Sequence, residues 1–310
     1  MGVGAAPPVG GVTAALDGAT RPAGGDARHL GRRAGDVRLG RVDYVNVLPV
    51  YMGLDVEGTR CTLVPGVPTD LNARLRRGEI DCAPVSAVEI AHARGAYAVL
   101  AGLSISSVGP VGSSMLISKV PPHELDARSV ALTTHSAASL AYFHVLCARM
   151  WHVQPATVDA PPDLDAMLAA HDACVLIGNP AIRAVAAAEA RGDLHVVDIG
   201  EAWLELTGLP CVFAVWALWR EWAEARPVDA AILCEDLERG RAWGGAAANR
   251  PALDERGAAE TGLDVERIHA YFDKQDYRLT EAHERGLRRL FDELAGLDLA
   301  PAVPSLEFAP

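Results

Sequence analysis

Glycine-rich phosphate loops are missing from this chain. No G-x-G-x-x-G follows a strand-like run, and no G-x-x-x-x-G-K-[ST] occurs. A Rossmann dinucleotide site and a P-loop are therefore disfavoured. Lysine is nearly missing too: Lys119 and Lys274 are the only two, and the other basic residues are arginine. With 40 acidic against 28 basic residues the formal net charge is −12, so the basic footprint of a nucleic-acid-binding domain is not there. The six cysteines (Cys61, Cys82, Cys147, Cys174, Cys211 and Cys234) form no C-x-x-C pair. Most sit in apolar runs and read as free buried thiols of a reducing compartment. Metal-type histidine pairs such as H-E-x-x-H and the G-x-S-x-G elbow of hydrolases are both absent. No apolar run approaches the ~18 residues of a membrane span. No basic segment followed by an apolar core opens the chain, which speaks against a secretory signal and for the cytoplasm. No metal and no cofactor is implied.

What is present is a large apolar fraction. Half of the 310 residues are hydrophobic, enough for one large or two medium domains. Residues 1–36 are rich in Gly, Ala and Pro and are expected to form a disordered extension. From Val37 a strand–helix alternation begins: "VRLGRVDYV", "CTLVPG", the amphipathic "PTDLNARLRRGE", "IDCAPVS", "SAVEIAHARG" and "AYAVLAGLSI". Proline and charge interrupt it at "VPPHELDA", Val120 to Ala127, and a second α/β series follows. After Glu221 the chain reads as mostly helical. The pattern predicts parallel βαβ units in two lobes. Lobe 1 is expected over 37–119 and 217–310, lobe 2 over 120–216, with the C-terminal helices packed back on lobe 1. The cleft between them is the default ligand site.

Four turns at predicted strand ends carry small polar groups. They are Tyr44 and Asn46; Ser86 in "APVSAVEI"; Thr134, His135, Ser136 and Ser139 in "TTHSAASL"; and Gly178 and Asn179 in "LIGNPAIR". Each alone reads as a helix cap, worth ~1 kcal/mol. Together, at the carboxyl ends of parallel strands, they mark the edge where open α/β sheets bind ligands. Helix N-termini there supply N–H groups and positive dipole ends, so a net-acidic protein can hold a carboxylate without clustered lysines. Ser113 and Ser114 lie on an apolar strand near the crossover, where adjacent side chains face opposite ways. Trp216, in "TGLPCVFAVW", packs the core or walls the cleft. Glu89, one helical turn after Ser86, reads as compensation of the helix dipole.

The stretches "DYVNVLPVY", "GEIDCAPVSAVEIA", "GPVGSSMLISK", "LIGNPAI" and "DIGEAWLELTGLPCVFAVWA" together resemble a menaquinone-biosynthesis family, the chorismate dehydratases of the futalosine pathway. The resemblance runs from about Val37 to the C-terminus. The C-P-N-D-type turn of the sister branch, the 1,4-dihydroxy-6-naphthoate synthases, is absent. The resemblance implies a two-lobed, periplasmic-binding-protein-like (type II) α/β fold with its ligand cleft between lobes. It also implies conversion of chorismate to 3-[(1-carboxyvinyl)oxy]benzoate and water, with Asn46 and either Ser113 or Ser114 facing the substrate. Ser114 is chosen from its spacing to "LIS".

Two departures stand out. Ser136-Ala137-Ala138-Ser139 occupies the place of the family's S-R-T-S, and Ile177-Gly178-Asn179 that of an expected I-G-D. Backbone N–H groups would then carry more of the carboxylate binding. The turns hold no obvious strong base, which leaves the substrate's own enolpyruvyl carboxylate or His135 as proton acceptor. The competing class is a non-catalytic solute-binding protein for a small carboxylated ligand, since the fold serves both. A sensor domain of a regulator is a third class, but no helix-turn-helix with basic flanks is seen.

Overall fold

The computed structural model describes residues 37–309, apart from Asp43, Arg94, His135 and Pro304. The expected extension over 1–36 lies outside the described residues. The strands are β1 (Arg38–Val42), β2 (Thr62–Gly66), β3 (Cys82–Ser86), β4 (Tyr97–Ser107), β5 (Ser114–Ser118) and β6 (Ser129–Thr133). They continue with β7 (Ala156–Ala160), β8 (Ala173–Ile177), β9 (His195–Asp198), β10 (Cys211–Trp219) and β11 (Asp276–Leu279). Two sheets result, in the orders β11-β4-β10-β3-β1-β2 and β7-β6-β8-β5-β9.

The parallel βαβ expectation holds for half of each sheet. β1 runs parallel to β2 and β3, and β6 parallel to β7 and β8. The pairs β10 with β3 and β4, β11 with β4, and β5 with β8 and β9 are antiparallel. The sheets are therefore mixed, because the chain crosses twice between them and each crossing strand enters reversed. The crossings also shift the expected boundaries. β5 belongs to the second sheet and β10 to the first. The sheets thus exchange chain at 108–113 and at 199–210 rather than at 119/120 and 216/217. Proline at 121 and 122 suggested a boundary, but those residues merely open a short 3-10 turn within the second series.

The helix Leu48–Glu57 lies between the first sheet and the C-terminal helix Pro227–Gly245. Small residues set that crossing. A Cβ on Gly53 would stand 2.4 Å from the Gly240 carbonyl oxygen, and one on Gly240 would stand 2.4 Å from that of Val50. Tyr51, on the same helix, is fully buried and donates to the Gly40 carbonyl of β1. Trp203, Trp216 and Trp222 are fully buried as well. All six cysteines are free and five are buried, as their apolar surroundings predicted.

Two outcomes follow from this packing. Gly240→Ala forces a methyl into backbone, and overpacking of that kind costs about 2–3 kcal/mol; urea unfolding should show a lowered midpoint with an unchanged slope. His144, on the helix Ala137–Leu146, has a buried Nε2 without a partner among the described residues. Burial lowers its pKa from 6.5 to about 4. A histidine held neutral in the fold contributes fully above its unfolded pKa and loses that contribution as pH falls toward the folded one. Stability should therefore decline between about pH 6.5 and 4, and His144→Leu should decline less over that window in urea titrations followed by circular dichroism.

Candidate active site

Each of the four polar turns follows a parallel strand and opens a helix. β1 leads to Tyr44 and Asn46, β3 to Ser86, β6 to Thr134 and Ser136, and β8 to Gly178. Because β1 and β3 run together in one sheet and β6 and β8 in the other, all four ends converge on one cavity between the sheets. Its volume is about 370 Å³, within the ~300–1,000 Å³ usual for small-molecule sites. Tyr44, Asn46, Ser86, Ser113, Ser114, Thr134, Ser136, Ser139 and Gly178 line it. His135 lies outside the described residues.

Asn46 sits in a 3-10 turn, Val45–Val47, rather than at a strand tip; β1 ends earlier, at Val42. Pro49, in the first turn of the next helix, fixes that transition. The Asn46 Oδ1 is buried without a hydrogen-bond partner among the described residues. So are Asn72 Oδ1, Ser86 Oγ, Ser114 Oγ and Gln275 Oε1, and all five residues line the same cavity. Buried polar groups are ordinarily paired, so five unpaired ones around one cavity describe a ligand-binding surface. Ser113 and Ser114 both line it but differ: Ser113 Oγ accepts from the Tyr271 hydroxyl at 3.3 Å, whereas Ser114 Oγ is unpaired. Ser136 is a helix cap, its Oγ accepting from the Ser139 N–H at 3.2 Å.

Two expected lining residues are elsewhere. Trp216 is fully buried opposite Pro84 of β3, its ring 6.4 Å from that of Tyr51. β10 slips register against β4 twice, between Val212 and Ala214 and between Val215 and Ala217. Phe213, the extra residue of the first slip, lines the cavity, and Trp216, which stands in the second, does not. The Tyr142 hydroxyl closes the gap, donating to the Val212 carbonyl at 3.0 Å and accepting from its N–H at 2.9 Å. Phe213 is thus the aromatic wall, and Trp216 belongs to the core beneath. Asn179 does not line the cavity either; its Oδ1 accepts from the Val45 N–H at 3.1 Å, tying the second sheet's helix start to the first sheet's turn. Beside it, a Cβ on Gly178 would stand 3.3 Å from the Tyr44 ring, and φ there is +59°. These contacts form the lip where the lobes meet.

The sequence reading missed a polar stripe. Thr69, Asn72 and Arg76 line the cavity from the helix Pro68–Arg77, at spacings of three and four that place them on one face. Leu71 and Leu75 of that helix are buried on a different face. Arg76 Nη1 donates to both Glu89 oxygens, at 2.9 and 2.8 Å. Burial pushes the Glu89 carboxyl up, and Arg76 opposes that. Glu89 is accordingly a cavity residue rather than a plain dipole partner. Gln275 reaches in from beyond the helix Val265–Phe272, fixed by its Nε2 on the Val111 carbonyl at 2.7 Å. No group of three or more His, Cys, Asp or Glu side chains that could hold a metal occurs among the described residues. Nor is any described helix long and apolar enough to cross a membrane.

The comparisons with known proteins agree with this architecture. The family model described as "Menaquinone biosynthesis" matches residues 37–295. A chorismate dehydratase of Thermus thermophilus is 32% identical over 276 residues, covering 85% of this chain and 96% of that protein. Among solved structures, the alkanesulfonate-binding protein SsuA from Xanthomonas axonopodis pv. citri superposes with a TM-score of 0.62 at 17% identity, covering 87% of this chain and 96% of that one. The periplasmic nitrate-binding protein NrtA from Synechocystis gives 0.61 at 11% identity, covering 88% and 84%. These two share the fold: a two-lobed, periplasmic-binding-protein-like α/β architecture. By the family match over most of its length, and by the relative that bears it out, the chain belongs to the menaquinone-biosynthesis family.

Proposed function

We propose that this protein is a chorismate dehydratase, a carbon–oxygen hydro-lyase that converts chorismate to 3-[(1-carboxyvinyl)oxy]benzoate and water. The observation that carries the reading is the set of five unpaired buried polar atoms around one cavity, in a chain of this family. Chorismate presents two carboxylates, a ring hydroxyl at C4 and an enolpyruvyl ether at C3. Serine hydroxyls donate to carboxylates, while amides offer one acceptor and two donors, so they serve a carboxylate or the ring hydroxyl. Apolar Val42, Ile105, Val111, Leu140, Ile177 and Phe213 supply walls for the ring.

Loss of the C3 proton and the C4 hydroxyl makes the ring aromatic, so the reaction runs strongly downhill. Positioning then supplies much of the rate. Glu89, the buried carboxylate of the cavity, has both oxygens engaged by Arg76 Nη1, so it is not the acceptor in this reading. In this reading the enolpyruvyl carboxylate of the substrate takes the C3 proton and hands it to the departing hydroxyl, leaving as water. Asn46 and Ser114 hold the substrate for that transfer, and His135 is the alternative acceptor. The helix N-termini at Ser86, Ser136 and Gly178 add positive dipole ends. Contact of the lobes at Tyr44 and Gly178 keeps water from the site. The reading places the protein in the cytoplasm, where its six free thiols are at home.

Purified protein incubated with chorismate should accumulate the aromatic product, seen by ultraviolet absorbance and mass spectrometry; unaltered chorismate would favour a solute-binding protein. Asn46→Ala and Ser114→Ala should each lower kcat/KM by about 10²-fold, the range for a lost donor at developing charge. Full activity in either would remove that residue from the site. Unchanged turnover in His135→Ala would leave the substrate carboxylate as acceptor. Gly178→Val, which strikes the Tyr44 ring from a left-handed backbone position, should raise KM about tenfold while the protein stays folded.

A further inference from the structure

Arg76 is the only arginine or lysine among the described residues that line the cavity. Its pairing with Glu89 is unusual in shape. Arginine–carboxylate pairs commonly run side by side, two nitrogens to two oxygens. Here both Glu89 oxygens converge on Nη1, and no described residue bonds to Nη2 or Nε. One edge of the guanidinium is thereby clamped while the fork beside it stays open. A pair serving only to neutralise a buried glutamate would gain by using that fork, and such pairs seldom stabilise a fold on their own. The Glu89 side chain is 2% exposed and that of Arg76 28%, so the acid lies underneath and the guanidinium toward the cavity. Asn72, one turn before Arg76, adds an unpaired buried Oδ1 on the same helix face.

We infer that Arg76 is the anchor for one carboxylate of the ligand, and that Glu89 is a positioning residue that clamps Nη1 and aims the open fork into the cavity. This rests on the chorismate reading above and adds its charge recognition. One carboxylate goes to Arg76. The other goes to the neutral side, formed by Asn46, Ser114 and the helix N-termini. A planar fork holds a carboxylate in a fixed plane as well as at a fixed place, and a proton transfer within the substrate needs that.

The test is calorimetric binding of chorismate, run beside steady-state turnover, for the wild type and for Arg76→Gln, Arg76→Lys, Glu89→Gln and the Arg76→Gln/Glu89→Gln double variant. Folding is followed by circular dichroism. Arg76→Gln should raise Kd and KM about 30-fold, the loss expected for a desolvated charge contact of ~2 kcal/mol, with kcat changed far less. Arg76→Lys keeps the charge and loses the fork, so its Kd should rise several-fold even if the glutamine variant misfolds. Glu89→Gln should shift Kd in the wild-type background and leave it unaltered in the Arg76→Gln background. Arg76→Gln or Arg76→Lys with wild-type Kd would overturn the anchor. Glu89→Gln that abolishes kcat at unchanged Kd would overturn the positioning role and make Glu89 a reacting group. Wild type that binds chorismate through Arg76 without turning it over would keep the anchor and defeat only the dehydratase reading; wild type that neither binds nor converts it would defeat both.

Discussion

The Asp198 carboxylate holds the two crossovers together, and the cavity depends on it. It ends β9, caps the helix Ile199–Thr207 through the N–H groups of Gly200 and Glu201 at 2.9 and 3.3 Å, and reaches back across the chain. There it accepts from Val111 at 3.0 Å and from Gly112 at 2.6 Å. One side chain thus joins the segment leaving the first sheet to the segment returning to it. Burial pushes this carboxyl up, while the four backbone donors pull the other way. Hydrogen bonds to a charged acceptor contribute about 1.5–3 kcal/mol each, so the donors secure the ion in place. Gly200 makes the approach possible, since a Cβ there would stand 2.5 Å from the Gly109 carbonyl oxygen. The clamp ends one residue before Ser113 and two before Ser114. It therefore fixes the entry into β5 and, with it, the two serines that line the cavity.

From that constraint the electrostatics of the cleft follow. A chain with net charge −12 must bind an anion without surrounding it by cations. The mixed sheets solve this by aligning β1 with β3 and β6 with β8, so that four helix starts face one volume. Their dipole ends and neutral hydroxyls carry no net charge and do not titrate near neutral pH. Arg76 then needs to supply only one full positive charge, and Glu89 beneath it limits the excess. A site for a ring with two carboxylates can in this way remain largely apolar at its walls.

Much of this was legible in the sequence because local rules and the global fold agree. Ser136 caps its helix as its residue type predicts, Ser86 and Gly178 stand at the strand ends where the turns were expected, and the lobes follow from strand–helix alternation. Other parts were not legible, for identifiable reasons. Trp216 and Phe213 lie three residues apart on one apolar strand, each at a slip of register against β4, so simple alternation does not tell which of them meets the cavity. A bulge is fixed by a tertiary contact, here Tyr142, and leaves no local mark. The stripe Thr69, Asn72 and Arg76 did leave one, a polar face at helical spacing beside buried leucines. A polar face ordinarily meets solvent, so that spacing alone does not distinguish a cavity wall from a surface. Gln275 comes from far along the chain and had no signal at all. The crossovers lay a few residues from where prolines suggested them, since a proline marks a break in regular structure and not a change of sheet.

Asn179 shows how a departure in sequence acquires a meaning. An aspartate was expected at this position and would have read as one more charged group near the ligand. The asparagine instead spends its carbonyl on the Val45 N–H and leaves the cavity to Gly178. Val45 belongs to the 3-10 turn that carries Asn46, so the bond across the lip holds the first motif as well as joining the lobes. A carboxylate there would accept the same N–H more strongly. It would also place a negative charge at the lip of the cavity. Neutrality at 179 therefore lets the lip join the two lobes by a hydrogen bond without adding a charge beside the cavity.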